Sequence, residues 1–137
     1  TGWIRANFES PDATPPNASF LHSDFPNIVV FVCLNDLPPE KNGTDFGTIF
    51  CEHKDIGFRK LKGGDKLKDY FIKIFNHDSR IDSKWNPWCQ LEYKKNRAFV
   101  YDGSLIHRMP TVAFGSTFHE SRLTQIFSFR PLPKKEN

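Results

Sequence analysis

The sequence predicts an all-β domain, a sandwich or barrel, interrupted by one helical insertion. Two patterns predict it: five or more short strand-like stretches separated by Gly and Pro turns, and a single stretch whose apolar residues recur at helical spacing. A third observation, 15% aromatic residues with 14 Phe, supplies the bulk for its core. At 137 residues the chain reads as one domain, 1–137.

The elements follow in order. "WIRANF" reads as a short strand and "ESPDATPPNAS", rich in proline and small polar residues, as a loop. "SFLHSD" is the next strand, stopped by Pro26. "NIVVFVCLN" is apolar on both faces and β-branched, the pattern of a central strand covered on each side. "DLPPEKNG" turns the chain, and "TDFGTIFCEH" resumes extended structure.

Residues 54–95 differ in character and read as an insertion. In "GGDKLKDYFIKIFNHD" the glycines precede a helix with Asp65 as N-cap and with Leu67, Tyr70, Phe71 and Ile74 on one face. Trp85, Trp88 and Tyr93 are expected to pack this insertion onto the barrel, and His53, His77 and His119 fall in or beside loops, where they are expected to be solvated. Strands return with "NRAFVYDG", "SLIHRM" and "SRLTQIFSFR", and "PLPKKEN" is a solvated tail. In the last strand Arg122, Thr124, Ile126 and Ser128 share one face, while Leu123, Gln125, Phe127 and Phe129 share the other. That second face is too apolar to be wet, so either the inserted helix or helices preceding Thr1 should cover it.

The net charge of +3 is mild, and no basic run or RNA-binding signature points to nucleic acid. No stretch has transmembrane length, so no membrane association is expected. Cys33, Cys51 and Cys89 are odd in number and widely spaced, which argues against a disulfide framework and for a reducing, cytoplasmic setting.

"SFLHSDFPN" carries the chemistry. On an extended segment His22 and Asp24 point the same way, and a core accepts an imidazole and a carboxylate together only if they pair or bind something. His107, after the Asp-Gly turn of "DGSLIHRMP", is the clearest third ligand. Two His and one carboxylate are the facial triad of non-heme Fe(II) oxygenases, with adjacent positions open. "RLT" adds Arg122, whose planar guanidinium can grip a carboxylate through two parallel hydrogen bonds, and Thr124 two positions along.

"HSD", the later His of "SLIHRMP" and the terminal "RLT" occur in an order that resembles the Fe(II)- and 2-oxoglutarate-dependent dioxygenases. "VVFVCLND…NGTDF" and "NRAFVYDGSLIHRMPTV" are similar to the prolyl 4-hydroxylase-like branch. The resemblance covers residues 19–51 and 96–130 and leaves the insertion unexplained; Asn42 stands where that branch often has a second Gly. It implies a double-stranded β-helix, the jelly roll that cupins also use. By that resemblance His22, Asp24 and His107 bind iron and Arg122, helped by Thr124, holds the distal carboxylate of 2-oxoglutarate. O2 and an unidentified small-molecule or peptide substrate complete the expected partners. The rival reading is a cupin-like module that binds a metal or small molecule without oxidising anything.

Overall fold

Among the described residues, alternating apolar residues and Gly/Pro turns become two antiparallel sheets and one α-helix. The computed structural model describes residues 2–7, 21–24, 28–61, 66–109, 115 and 117–130. The loop expected before Ser19, the side chain of Phe20, the Asp65 cap, the Leu67 side chain and the tail after Arg130 lie outside the described residues. The strands are β1 (Gly2–Asn7), β2 (Ile28–Cys33), β3 (Ile49–His53), β4 (Trp85–Gln90), β5 (Ala98–Asp102), β6 (His107–Arg108) and β7 (Arg122–Phe129), with α1 (Lys66–Asp78) between β3 and β4. A four-stranded sheet runs β1-β7-β2-β5 and a three-stranded sheet β4-β3-β6, to which His22 adds by an isolated bridge with His107.

Register decides what each face carries. In the large sheet Phe31 stands between Ile126 and Phe99, Cys33 opposite Thr124, and Arg5 on the other side of Thr124. With side chains alternating, Trp3, Arg5, Arg122, Thr124, Ile126, Val29, Phe31 and Tyr101 all project toward the small sheet. There Phe31, Cys33, Phe46 and Tyr93 form one buried cluster. The opposite side of the small sheet carries a second cluster, Leu21, Cys51, Phe58, Trp85 and Ile106, with Phe71, Ile74 and Phe75 of α1 laid over it. Each such side chain contributes about 1.5–3 kcal/mol when fully buried.

Several expectations change. Residues 43–46 form a 3-10 turn rather than strand: Asn42 accepts the Thr44 N–H on its side chain and the Asp45 N–H on its carbonyl. Gly47 then lies against the Leu91 carbonyl so closely that a Cβ would sit 1.3 Å from the oxygen. The stretch 54–95 contains an edge strand of the small sheet as well as the helix, because β4 pairs along β3 from Ile49 to His53. On α1 the packed face is Phe71, Ile74, Phe75 and Asp78, whereas Tyr70, one position round, is exposed. β2 is central as expected, but its outward face is not closed over: Ile28, like Val100 and Phe129 beside it, is exposed among the described residues. The inserted helix therefore does not cover the outward face of β7, since it packs on the other sheet. No described helix is long and apolar enough to cross a membrane.

Candidate metal centre

The Asp102-Gly103 turn builds the site. Asp102 accepts the Ser104 N–H and hydroxyl on one carboxylate oxygen, closing a tight Asx turn. The Gly103 carbonyl then accepts the Asp24 N–H at 2.7 Å and the Ser23 hydroxyl at 3.0 Å. Downstream, His22 and His107 exchange backbone hydrogen bonds of 2.9 and 3.0 Å. One turn thus docks the "HSD" segment beside the start of β6, and the three predicted ligands converge.

His22, Asp24 and His107 present ligand atoms that all lie within 4.8 Å of one another. The imidazole rings of His22 and His107 are 4.3 Å apart between centroids, and His107 Nε2 is 3.4 Å from Asp24 Oδ2. His107 Nδ1 lies 2.9 Å from the Leu105 carbonyl, to which it donates, so Nε2 is the nitrogen left facing Asp24. Burial raises the Asp24 pKa, but the hydrogen bond with His107 and the charges of His107, His22 and Arg5 outweigh it, leaving the carboxyl below its ordinary value. Two imidazoles and an ionised carboxylate on one side of a shared point are a donor set suited to a divalent first-row metal.

These candidate ligands open into a small, partly open cleft lined also by Trp3, Arg5, Phe31, Thr48, Tyr101, Met109 and Ile126. The Tyr101 hydroxyl is 3.4 Å from His107 Nε2; burial first, and the charge of Asp24 second, push its pKa up. Sequence reasoning missed Tyr101, although its alternation with Phe99 on "AFVYD" places both on the inward face.

Arg122 is fully buried behind this cleft. Its Nε donates to the Phe46 carbonyl at 2.6 Å, its Nη1 to the Met109 sulfur at 3.8 Å, and its guanidinium stacks over Phe31 and Tyr93 at 5.2 and 5.3 Å. Burial pushes its pKa down to about 10, and Arg5 adds to this against the opposing influence of Tyr93 and Cys33. Thr124 is equally buried, and its Oγ1 finds no hydrogen-bond partner among the described residues. Neither Arg122 nor Thr124 lines the cleft itself; Met109, which touches both cleft and guanidinium, lies at the junction.

Asn35 holds this second half of the site in place. Its Oδ1 accepts the Leu123 N–H at 3.0 Å and its Nδ2 donates to the Ser121 carbonyl at 2.6 Å, bracketing Arg122. Tyr93, expected to pack the insertion, instead brings its hydroxyl to 2.7 Å from the Leu123 carbonyl. The Leu-Asn of "VCLND" is thereby explained: the asparagine clamps the start of β7.

His53 is not solvated. It is buried at the end of β3, 2.8 Å from Asp78, and stacks on Phe58. Among the described residues His22, Asp24 and His107 are the one group of three or more His, Cys, Asp or Glu that could hold a metal. No protein-family model matches the chain, and neither curated proteins nor solved structures give a significant match.

Proposed function

We propose that this domain is an Fe(II)- and 2-oxoglutarate-dependent dioxygenase that hydroxylates a small-molecule or peptide substrate. The observation that carries the reading is the convergence of His22, Asp24 and His107 at a cleft with a buried arginine behind it. Support for the jelly-roll reading comes from strand order. With the His22 bridge counted as an edge segment, successive extended segments pass back and forth between β1-β7-β2-β5 and β4-β3-β6-His22, except at β3 and β4, which pair with each other across the insertion in the small sheet.

The residues fit the groups they would hold. His22 and His107 would supply two neutral nitrogens and Asp24 the single anionic oxygen, already ionised by its surroundings. Ferrous iron with 2-oxoglutarate and O2, if bound there, would supply the oxidising power for hydroxylating a substrate C–H bond, with the oxo acid converted to succinate and CO2. The chain's own work is positional. The Leu105 carbonyl fixes the His107 tautomer, so that the ring does not rotate away from the metal. Tyr101 keeps its proton and can donate a hydrogen bond toward an oxygen held beside His107. Arg122 and Thr124 would take the distal carboxylate of 2-oxoglutarate, giving Thr124 Oγ1 a partner and setting an anion against a buried cation. The unbranched, soft side chain of Met109 has to turn aside for that carboxylate to arrive.

The test is turnover. Purified protein supplied with Fe(II), ascorbate, O2 and 2-oxoglutarate should release succinate even without a primary substrate, and His107→Ala should not. Iron binding without succinate formation, in the presence of a broad metabolite and peptide mixture, would favour the cupin-like binding module instead.

A further inference from the structure

Metal ligands and cosubstrate account for His22, Asp24, His107, Arg122 and Thr124, but two cleft residues on β1 remain unused. Trp3 stands opposite Ile126 and Arg5 opposite Thr124, so both project into the space between the sheets, side by side two positions apart. Both line the cleft together with His22, Asp24 and Tyr101. Trp3 is 45% exposed although it lines the cleft, so part of the residue is open to a ligand. Arg5 is exposed as well and forms no ion pair among the described residues, yet its charge is felt at both Asp24 and Arg122. An inward-pointing charge on an edge strand can also serve to discourage edge-to-edge pairing. That role would not call for a half-exposed indole beside it, nor for a position on the wall of the cleft that holds His22 and Asp24.

We propose that Trp3 and Arg5 form the substrate-selecting wall of the cleft, and that the primary substrate is a small molecule combining a flat apolar body with a carboxylate or phosphate; the assignment rests on the oxygenase reading of the site. The guanidinium fork binds the anion through paired, charge-assisted hydrogen bonds, and the indole face takes the flat body. A cation at this point also offsets the repulsion between an anionic substrate and the ionised Asp24 and 2-oxoglutarate.

Ligand-observed NMR titrations of the metal-free chain with phenylacetate, phenyl phosphate and neutral phenylacetamide test this. The acids should bind about tenfold or more tighter than the amide, Arg5→Gln should erase that preference, and Trp3→Ala should weaken all three. In Mn(II)-loaded protein, Arg5→Gln should hold 2-oxoglutarate within about twofold of the wild type, unlike Arg122→Lys. The proposal is overturned if neither acid binds, if the amide binds equally well, or if Arg5→Gln keeps the preference and merely self-associates. It is also overturned if Arg5→Gln weakens 2-oxoglutarate as much as Arg122→Lys does, since Arg5 would then belong to the cosubstrate. Because the acid titration needs no metal, a wild type that shows the preference but binds no Mn(II) supports the wall and sinks the oxygenase reading alone.

Discussion

His53 and Asp78 meet at 2.8 Å on the helix side of the small sheet, whereas His107 and Asp24 stand 3.4 Å apart in the cleft on its other side. The first pair is closed. His53 Nδ1 accepts the Asp55 N–H, its Nε2 faces Asp78 Oδ2, and the other carboxylate oxygen is met by His77 Nδ1 at 2.5 Å. Trp85 donates its indole N–H to the Asp78 carbonyl, so the end of α1 is tied to β3 and β4 at one point. The second pair is loose. A third candidate ligand, His22, shares its space, and the Asp24 side chain keeps 34% exposure on a cleft. The same two residue types thus do different work: saturated with hydrogen bonds they anchor an element, and left open toward a cavity they are ready for a ligand.

Substitutions should separate the two pairs. The largest effect is expected for Asp24→Ala, which leaves a dication held by two neutral rings; Mn(II) affinity measured by electron paramagnetic resonance should fall by more than about a hundredfold. Its unfolding free energy should move by less than about 1 kcal/mol, because few closed bonds are lost. Asp78→Ala should do the reverse, costing about 3 kcal/mol in urea unfolding, since it strands a buried imidazole, while metal affinity stays unchanged. Equal loss of metal binding in both variants would erase the distinction.

Arg122→Lys comes next: a point charge cannot reproduce the bidentate fork, so 2-oxoglutarate should weaken by roughly ten- to a hundredfold while the metal is retained. Asn35→Ala should cost about 1–2 kcal/mol of stability by freeing the Leu123 N–H and the Ser121 carbonyl, with a smaller loss of 2-oxoglutarate affinity as Arg122 shifts. The smallest effect concerns pH. Hydrogen bonds from His77 and His53 hold the Asp78 carboxyl below its ordinary value despite burial. Its folded pKa lies below the unfolded one, so its stabilisation is complete above about pH 4 and is lost as pH falls through the folded value. The stability gap between wild type and Asp78→Asn should therefore narrow below about pH 4.

Sequence patterns reached β2 because its run is apolar and β-branched on both faces, and β7 because its two faces differ in polarity; they reached the candidate metal ligands because His22 and Asp24 share a face and His107 follows a turn that brings a second imidazole to them. They reached Arg122 and Thr124 as residues but not their seclusion behind Met109, which depends on packing between sheets. β4 escaped notice because "WNPWCQ" carries a proline and little alternation; it sits at a sheet edge, where a proline is tolerated. The turn at 43–46 was hidden by strand-like aromatics and is set by the Asn42 cap. His53 was misplaced because nothing in its neighbours announces Asp78, 25 residues away and on a different element. Arg5 is legible as a cleft residue only once register sets β1 beside β7.

The most direct test of the proposed metal centre is an anaerobic titration followed by visible absorption. Fe(II) added first and 2-oxoglutarate second should produce a weak metal-to-ligand charge-transfer band in the wild type, absent from Asp24→Ala and retained in Asp78→Ala. A wild-type protein that takes up both without any such band would show that the oxo acid does not chelate a metal held by His22, Asp24 and His107, contradicting the account.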